Sequence, residues 1–288
     1  MSKFNSESRE ESPNISMRYK AKFSLEGKVA VVTGGAGILG EHFCRGLAES
    51  GASVAILDIQ QVKAGDLAKT INSEFGTKAN GYYCDVSDPD SVNAAVMQVV
   101  SDFGKIEILH NNAASKSDDL EAYFSSFENY SLAEWRKVMS VNIDGMFLMA
   151  QSVGNQMIKQ GLGGSIIQTA SIYGVTAPDK RIYEGSSFLG REINTPAVYS
   201  ASKAAVIGLT KYLATYWAEK GIRVNTLSPG GTESGQNDEF NNRYSARVPL
   251  GRMANANEMV GALIYLASDA SSYVTGQNII VDGGLNSW

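Results

Sequence analysis

The amino-acid sequence predicts an α/β fold: a single-domain, doubly wound parallel sheet of the Rossmann type with helices on both faces. Two observations lead there. Short runs rich in Val, Ile and Ala alternate with helix-length amphipathic stretches along the chain, the rhythm of β-α units crossing over to parallel neighbours. The strand runs are apolar at consecutive positions, as strands covered on both faces must be. Right-handed crossovers then place helices on the two sides of the sheet.

The elements follow in order. Residues 28–33 (Lys-Val-Ala-Val-Val-Thr) read as the first strand and 38–50 as the first helix. A strand at 53–58, a helix at 62–75, a strand at 79–84, a helix at 91–103 and a strand at 106–111 continue the pattern. One long helix is expected over 132–160, a strand over 165–171 and a second long helix over 197–220. A strand at 223–228, a helix at 258–268 and a strand at 278–281 close it. One domain therefore accounts for residues 25–288, preceded by a polar arm, 1–24, that lacks the apolar core of a signal peptide.

Composition narrows the function classes. A net charge of −5 over 288 residues offers no basic surface for nucleic acid. No apolar run reaches the roughly 18 residues of a membrane span. Cys44 and Cys84 stand far apart, without neighbouring Cys or His at ligand spacing. They read as reduced thiols of a cytoplasmic protein, and no metal site is expected. His42 and His110 lie in or beside apolar segments and read as packed or surface histidines rather than catalytic bases.

The strongest local signal is Thr33-Gly34-Gly35-Ala36-Gly37-Ile38-Leu39-Gly40, between the first strand and the first helix. Glycine gives such a turn its backbone freedom and lets a pyrophosphate reach main-chain N–H groups at the positive end of the helix. Glycine turns also serve packing alone; the strand before and helix after point to a dinucleotide, contacted by Gly34, Gly37, Leu39 and Gly40. Asp58 ends the second strand, 18 residues beyond Gly40. A carboxylate there accepts both hydroxyls of the adenosine ribose and repels a 2′-phosphate. Ile59 and Gln60 follow it and no cation lies in the turn, so NAD(H) is expected rather than NADP(H). Asp85 is placed to bond the adenine amino group, with Val86 against the ring.

Tyr199 and Lys203 stand four apart in a helical stretch, so the phenol and ammonium share a face. A nearby cation favours the phenolate and draws the tyrosine towards working pH, as proton exchange with an alcohol or carbonyl requires. Such a pair also occurs by chance on many helices. Its company decides: Cys84-Asp85-Val86, Asn111-Asn112-Ala113-Ala114, Val141-Asn142, Ser171, Pro229-Gly230 and Val281-Asp282-Gly283-Gly284 join the turn and Asp58 in order. From about Leu25 to Leu285 the chain thus resembles the short-chain dehydrogenase/reductase family.

The resemblance implies an NAD-dependent oxidoreductase that interconverts a secondary alcohol and a ketone by hydride transfer. It makes Tyr199 the general acid/base and gives Lys203 the nicotinamide ribose and the lowering of the tyrosine pKa. Ser171 then bonds the substrate oxygen, and Asn142 holds a water that links Lys203 to solvent. Asn112 and Ala113 line the adenosine ribose, while Pro229, Gly230 and Thr232 shape the nicotinamide pocket, with Ser234 an alternative to Thr232. The alternatives are a 3-oxoacyl-thioester reductase and a non-catalytic module that senses NAD.

Three departures from the family pattern stand out. Ile38 occupies the place of the turn's usual second glycine, which has moved back to Gly37. His110 and Ala114 replace a small apolar residue and a glycine around the Asn pair. Ser171 and Tyr199 are 28 residues apart, about twice the family's interval. The extra segment, roughly 177–195, carries Lys180, Arg181, Tyr183, Glu184 and Arg191; a polar loop at 115–130 carries Asp118, Asp119, Tyr123 and Tyr130. Both follow strand C-termini, where open α/β sheets bind ligands. Loops of this composition suit a hydroxyl-rich small molecule, phosphorylated or acidic in one version, with a sugar, amino-sugar or polyol derivative the first choice. The stretch 244–253, with Arg247 and Arg252, resembles the family's substrate lid. The wide apolar faces of the two long helices suit a homo-oligomer, a dimer or tetramer.

Overall fold

The computed structural model describes residues 19–288 apart from 118 and 189, and the side chains of Phe188 and Arg191 are not described. Residues 1–18 of the expected arm, Asp118 and the Arg191 side chain therefore lie outside the described residues. The first strand, Val29–Thr33 (β1), is buried throughout and divides its side chains between two cores. Ala30 and Val32 face one core and Val31 the other, the period-two alternation of a strand covered on both sides. Ser53–Asp58 (β2) repeats this, with Val54 and Ile56 on the first face and Ala55 and Leu57 on the second.

In chain order, β1 leads to Ile38–Glu49 (α1), β2 to Gln61–Phe75 (α2), and Ala79–Tyr83 (β3) to Pro89–Phe103 (α3). Ile108–Asn111 (β4) is followed by the short helix Leu120–Tyr123 (α4), then Leu132–Met139 (α5) and Gly145–Gln160 (α6). Gly164–Thr169 (β5) precedes the inserted segment, whose two-residue strands Ser187–Phe188 (β6) and Arg191–Glu192 (β7) pair antiparallel. Ala197–Tyr216 (α7), Ile222–Pro229 (β8), Asp238–Ser245 (α8), Val260–Ala267 (α9) and Asn278–Val281 (β9) complete the chain.

Seven strands form one parallel sheet in the order β3-β2-β1-β4-β5-β8-β9. Helices α1, α2 and α9 cover one face through Phe43, Leu47, Ile71 and Leu263. Helices α3, α6 and α7 cover the other through Val96, Val153 and Leu213. The order reverses between β1 and β4, which opens a crevice at their carboxyl ends. Among the described residues no helix is long and apolar enough to cross a membrane.

Some boundaries differ from expectation. The single helix expected over 132–160 is two helices joined by a π-helical stretch, Ser140–Asp144. There the Gly145 N–H bonds Ser140 O, five residues back, and the widened turn carries the buried Asn142. The helix expected over 197–220 ends at Tyr216 and tightens into the 3₁₀ turn Ala218–Lys220. The strand expected to reach Ser171 stops at Thr169; Ser171 instead caps a 3₁₀ turn by accepting from Tyr173 N–H. Helix α8 was not expected at all, because its eight residues are mostly polar.

Candidate active site

The glycine turn is shaped by close main-chain approach. Gly34 has φ +60°, and a Cβ there would sit 2.9 Å from Ala113 Cα. A Cβ on Gly40 would lie 2.1 Å from Gly34 O, so the helix can pack on the turn only with hydrogen at that position. Gly37 enters α1 in an extended conformation and no side chain caps the helix. The positive end of α1 is therefore left for a ligand. Thr33 Oγ1 accepts from the N–H groups of Asn112 and Ala113, at 2.9 and 3.0 Å. Asn112 Nδ2 donates back to Thr33 O at 3.2 Å, locking the turn to the residues after β4. Asp58 is held by two N–H donors, Ala36 to Oδ2 at 3.0 Å and Gln60 to Oδ1 at 2.9 Å. Asp85 Oδ1 accepts from the N–H and hydroxyl of Ser87.

Helix α7 presents Tyr199 and Lys203 on one face, with the ammonium 5.8 Å from the phenol ring centroid. Lys203 is buried and donates to Thr169 O at 2.9 Å; burial lowers its pKa to about 8. The expectation that Lys203 draws the tyrosine downwards is not met. Burial raises the Tyr199 pKa above its ordinary value, and what opposes the rise is a hydrogen bond from Ser171. Asn142, expected to hold a water beside Lys203, has both ends of its side chain engaged: Oδ1 accepts from Ser115 N–H at 2.8 Å and Nδ2 donates to Ser202 Oγ at 3.3 Å. It ties the loop after β4 to α7. His110 is buried, with Nε2 2.8 Å from Thr169 Oγ1, and burial holds it neutral with a pKa of about 3.

A cavity of about 870 Å³ runs from the glycine turn to Tyr199. Its lining takes in Gly34, Gly37, Leu39, Gly40, Asp58, Ile59, Asp85, Val86, Asn112, Ala113, Ser171, Tyr199, Lys203, Pro229, Gly230 and both Thr232 and Ser234. Of the residues picked out in the sequence for the site, Asn142 alone stays behind the wall, although its neighbours Ser140 and Val141 reach the cavity. The donor set suits a dinucleotide: a free helix N-terminus beside a turn closed to side chains, a fixed carboxylate, and a continuous channel to a tyrosine-lysine pair. Among the described residues no cluster of three or more His, Cys, Asp or Glu could hold a metal ion.

The far wall comes from parts of the chain that give little sequence signal. Tyr173, Tyr183, Asn194, Thr195, Phe240 and Tyr244 line it. The insertion packs on α8 and the segment after it through Ile182, Phe240, Tyr244 and Val248; the Tyr183 and Phe240 rings lie 5.6 Å apart. Among the described residues, its charged side chains do not line the cavity. Arg181 and Arg247 pair with Asp179 at 2.8 and 3.2 Å, and Arg243 pairs with Glu239 and Glu184 at 2.5 and 3.2 Å. Arg252 is paired with Glu258. Arg243 thus staples the insertion to α8, and Arg247 ties it to the segment that follows. In the second loop Asp119 caps α4, and Tyr123 rather than Tyr130 reaches the cavity.

Comparison with known proteins supplies the family. A family model described as enoyl-(acyl carrier protein) reductase matches residues 34–286. The D-threitol dehydrogenase of Mycolicibacterium smegmatis is 36% identical over 267 residues, 91% of this chain and 94% of that protein. A gluconate 5-dehydrogenase from Burkholderia cenocepacia, solved in complex with NADP and tartrate, superposes with a TM-score of 0.82 at 35% identity, covering 93% of this chain and 98% of that one. A short-chain type dehydrogenase/reductase from Mycobacterium marinum gives the same TM-score of 0.82 and the same coverage at 34% identity. With its Tyr199–Lys203 pair, its glycine turn and these relatives, the chain belongs to the short-chain dehydrogenase/reductase family.

Proposed function

We propose that the protein interconverts a secondary alcohol and a ketone on a sugar or polyol, with NAD(H) preferred over NADP(H). The observation that carries this reading is the cavity itself, which joins an uncapped helix N-terminus and Asp58 to Ser171, Tyr199 and a wall of hydroxyl and amide side chains. The D-threitol and gluconate relatives support the substrate class. A nicotinamide ring bound beside Tyr199 supplies the hydride acceptor in oxidation and the donor in reduction.

The chain's own residues handle the proton and the orientation. Tyr199 Oη takes the substrate hydroxyl proton in oxidation and returns it to the carbonyl oxygen in reduction. Ser171 Oγ holds the same oxygen and favours the phenolate, as its hydrogen bond to Tyr199 does here. Lys203, titrating near 8, is suited to exchange protons with the phenol at working pH. Asn142 positions α7 against the loop after β4. The preference for NAD(H) rests on the fixed Asp58 carboxylate and on a turn without cations.

The exposed, stacked Tyr212 and Tyr216 of α7, with the exposed Phe147 of α6, support a homo-oligomer, dimer or tetramer. The buried free thiols of Cys44 and Cys84 support a reducing compartment, the cytoplasm.

The test is turnover of four- to six-carbon polyols and ketoses with NAD and NADP, beside 3-oxoacyl thioesters. Activity on thioesters alone, or tight NAD binding without turnover, would overturn the reading. Asp58→Ala should lower kcat/KM for NAD by about 10–100-fold, the worth of a charged hydrogen-bond acceptor, and leave NADP little changed.

A further inference from the structure

Three hydroxyls meet on the cavity wall beside the reacting groups. Tyr183 Oη lies 2.5 Å from Thr195 Oγ1 and 3.4 Å from Tyr173 Oη, and all three residues line the cavity. The chain brings them to the reaction centre from both sides. Tyr173 is two residues past Ser171, and Thr195 is four before Tyr199. Tyr183 comes from the insertion between them, and its ring is fixed against Phe240. Each hydroxyl can donate one hydrogen bond and accept others, so the trio can shift its donors to match a neighbouring substrate hydroxyl.

The charges of the same region are turned elsewhere. Arg181, Arg243 and Arg247 are held in ion pairs with Asp179, Glu184 and Glu239, and no arginine is among the described residues that line the cavity. Of the cations that line it, Lys203 is bonded to Thr169 O, while Lys116 and Lys137 are exposed and belong to the loop after β4 and to α5. A carboxylate or phosphate placed against the Tyr173, Tyr183 and Thr195 hydroxyls would lose hydration and meet neutral donors there, which costs more than a hydroxyl does.

The structure assigns to Tyr183, with Tyr173 and Thr195, a specificity subsite for a second hydroxyl of a neutral polyol or ketose, next to the carbon that reacts. This rests on the polyol reading above and narrows it to uncharged, unphosphorylated substrates. Tyr183→Phe keeps the ring packing and removes one hydroxyl; Thr195→Val does the same for the other partner.

The experiment compares kcat/KM of the full-length enzyme for a neutral tetritol or pentitol, an aldonate or sugar phosphate of equal length, and 2-butanol, which has one hydroxyl. Wild type should favour the neutral polyol over both. In each variant the ratio of polyol to 2-butanol should fall roughly three- to tenfold, the worth of one neutral hydrogen bond. An equal fall for polyol and 2-butanol would make the trio merely structural and overturn the assignment. Faster turnover of the aldonate or phosphate would overturn the neutral-substrate claim while the polyol reading stands. No turnover of any polyol or sugar by wild type would instead bring down the underlying reading.

Discussion

The two ends of the cavity are built from different materials. At the glycine-turn end the main chain makes the surface: Gly34 and Gly40 leave no room for a Cβ, and α1 begins with its N–H groups uncapped. At the substrate end side chains make it: Tyr183 on Phe240, Phe240 on Tyr244, and arginine pairs on the outside. The first surface depends on the absence of atoms and the second on which atoms are present. A main-chain surface can serve many relatives unchanged, whereas a side-chain surface can be rewritten without disturbing the sheet beneath it.

Substitutions can test that division, beginning with the junction of the two ends. Tyr199→Phe should reduce kcat by about 10²–10⁴-fold, the range for a lost general acid/base, while calorimetric affinity for the dinucleotide stays near wild type. Comparable loss of both would mean that the tyrosine belongs to the binding end. Gly40→Ala adds one methyl group at the main-chain end. It should cost about 1–3 kcal/mol by overpacking, seen in denaturant unfolding, together with weaker dinucleotide binding. An unaffected variant would show that the turn yields and that the contrast is overstated.

The next effect depends on pH. Lys203 titrates near 8 in the fold against an ordinary value of 10.5. Between these values the unfolded chain binds more protons, so this group's contribution to stability rises with pH through the window and falls away as pH drops through 8. The melting temperature of wild type relative to Lys203→Met, measured without dinucleotide, should climb from about pH 8 to 10.5. A flat difference would place the ammonium in contact with water. Ser171→Ala removes what opposes the rise of the Tyr199 pKa, so the ascending limb of polyol oxidation, where the phenol must ionise to act as base, should move to higher pH. The smallest effect is expected at the outer staple. Arg243→Ala breaks exposed ion pairs and should shift the melting temperature by no more than about a few degrees, with dinucleotide affinity unchanged.

The same division explains what the sequence made legible. Strands such as 29–33 and 53–58 announce themselves because their central positions are apolar in succession, and the turn does so because glycine is the residue that fits. Asp58, Ser171, Tyr199 and Lys203 could be picked out by order and spacing. The far wall could not. Helix α8 has Phe240 and Tyr244 as its apolar signal, one turn apart, behind the capping Asn237. Strands β6 and β7 are two residues each, too short for any periodicity. Tyr183 was visible within the insertion but in company with arginines, and composition cannot tell an arginine facing a ligand from one paired with Asp179. Partner choice among charges is settled by packing, which only the folded chain displays.

The π-helical stretch at Ser140–Asp144 sets a phase. One extra residue turns a helix by about 100°, and here the rotation falls between α5, which buries Val138 beside Tyr123 and Val198, and α6, which buries Met149, Val153 and Met157 against the sheet. A regular helix through this point could satisfy one of those faces or the other. Deleting one residue there would restore a regular helix and still turn the two buried faces out of step, so that Val138 against Tyr123 and Val198 and Met149, Val153 and Met157 against the sheet could not both be kept.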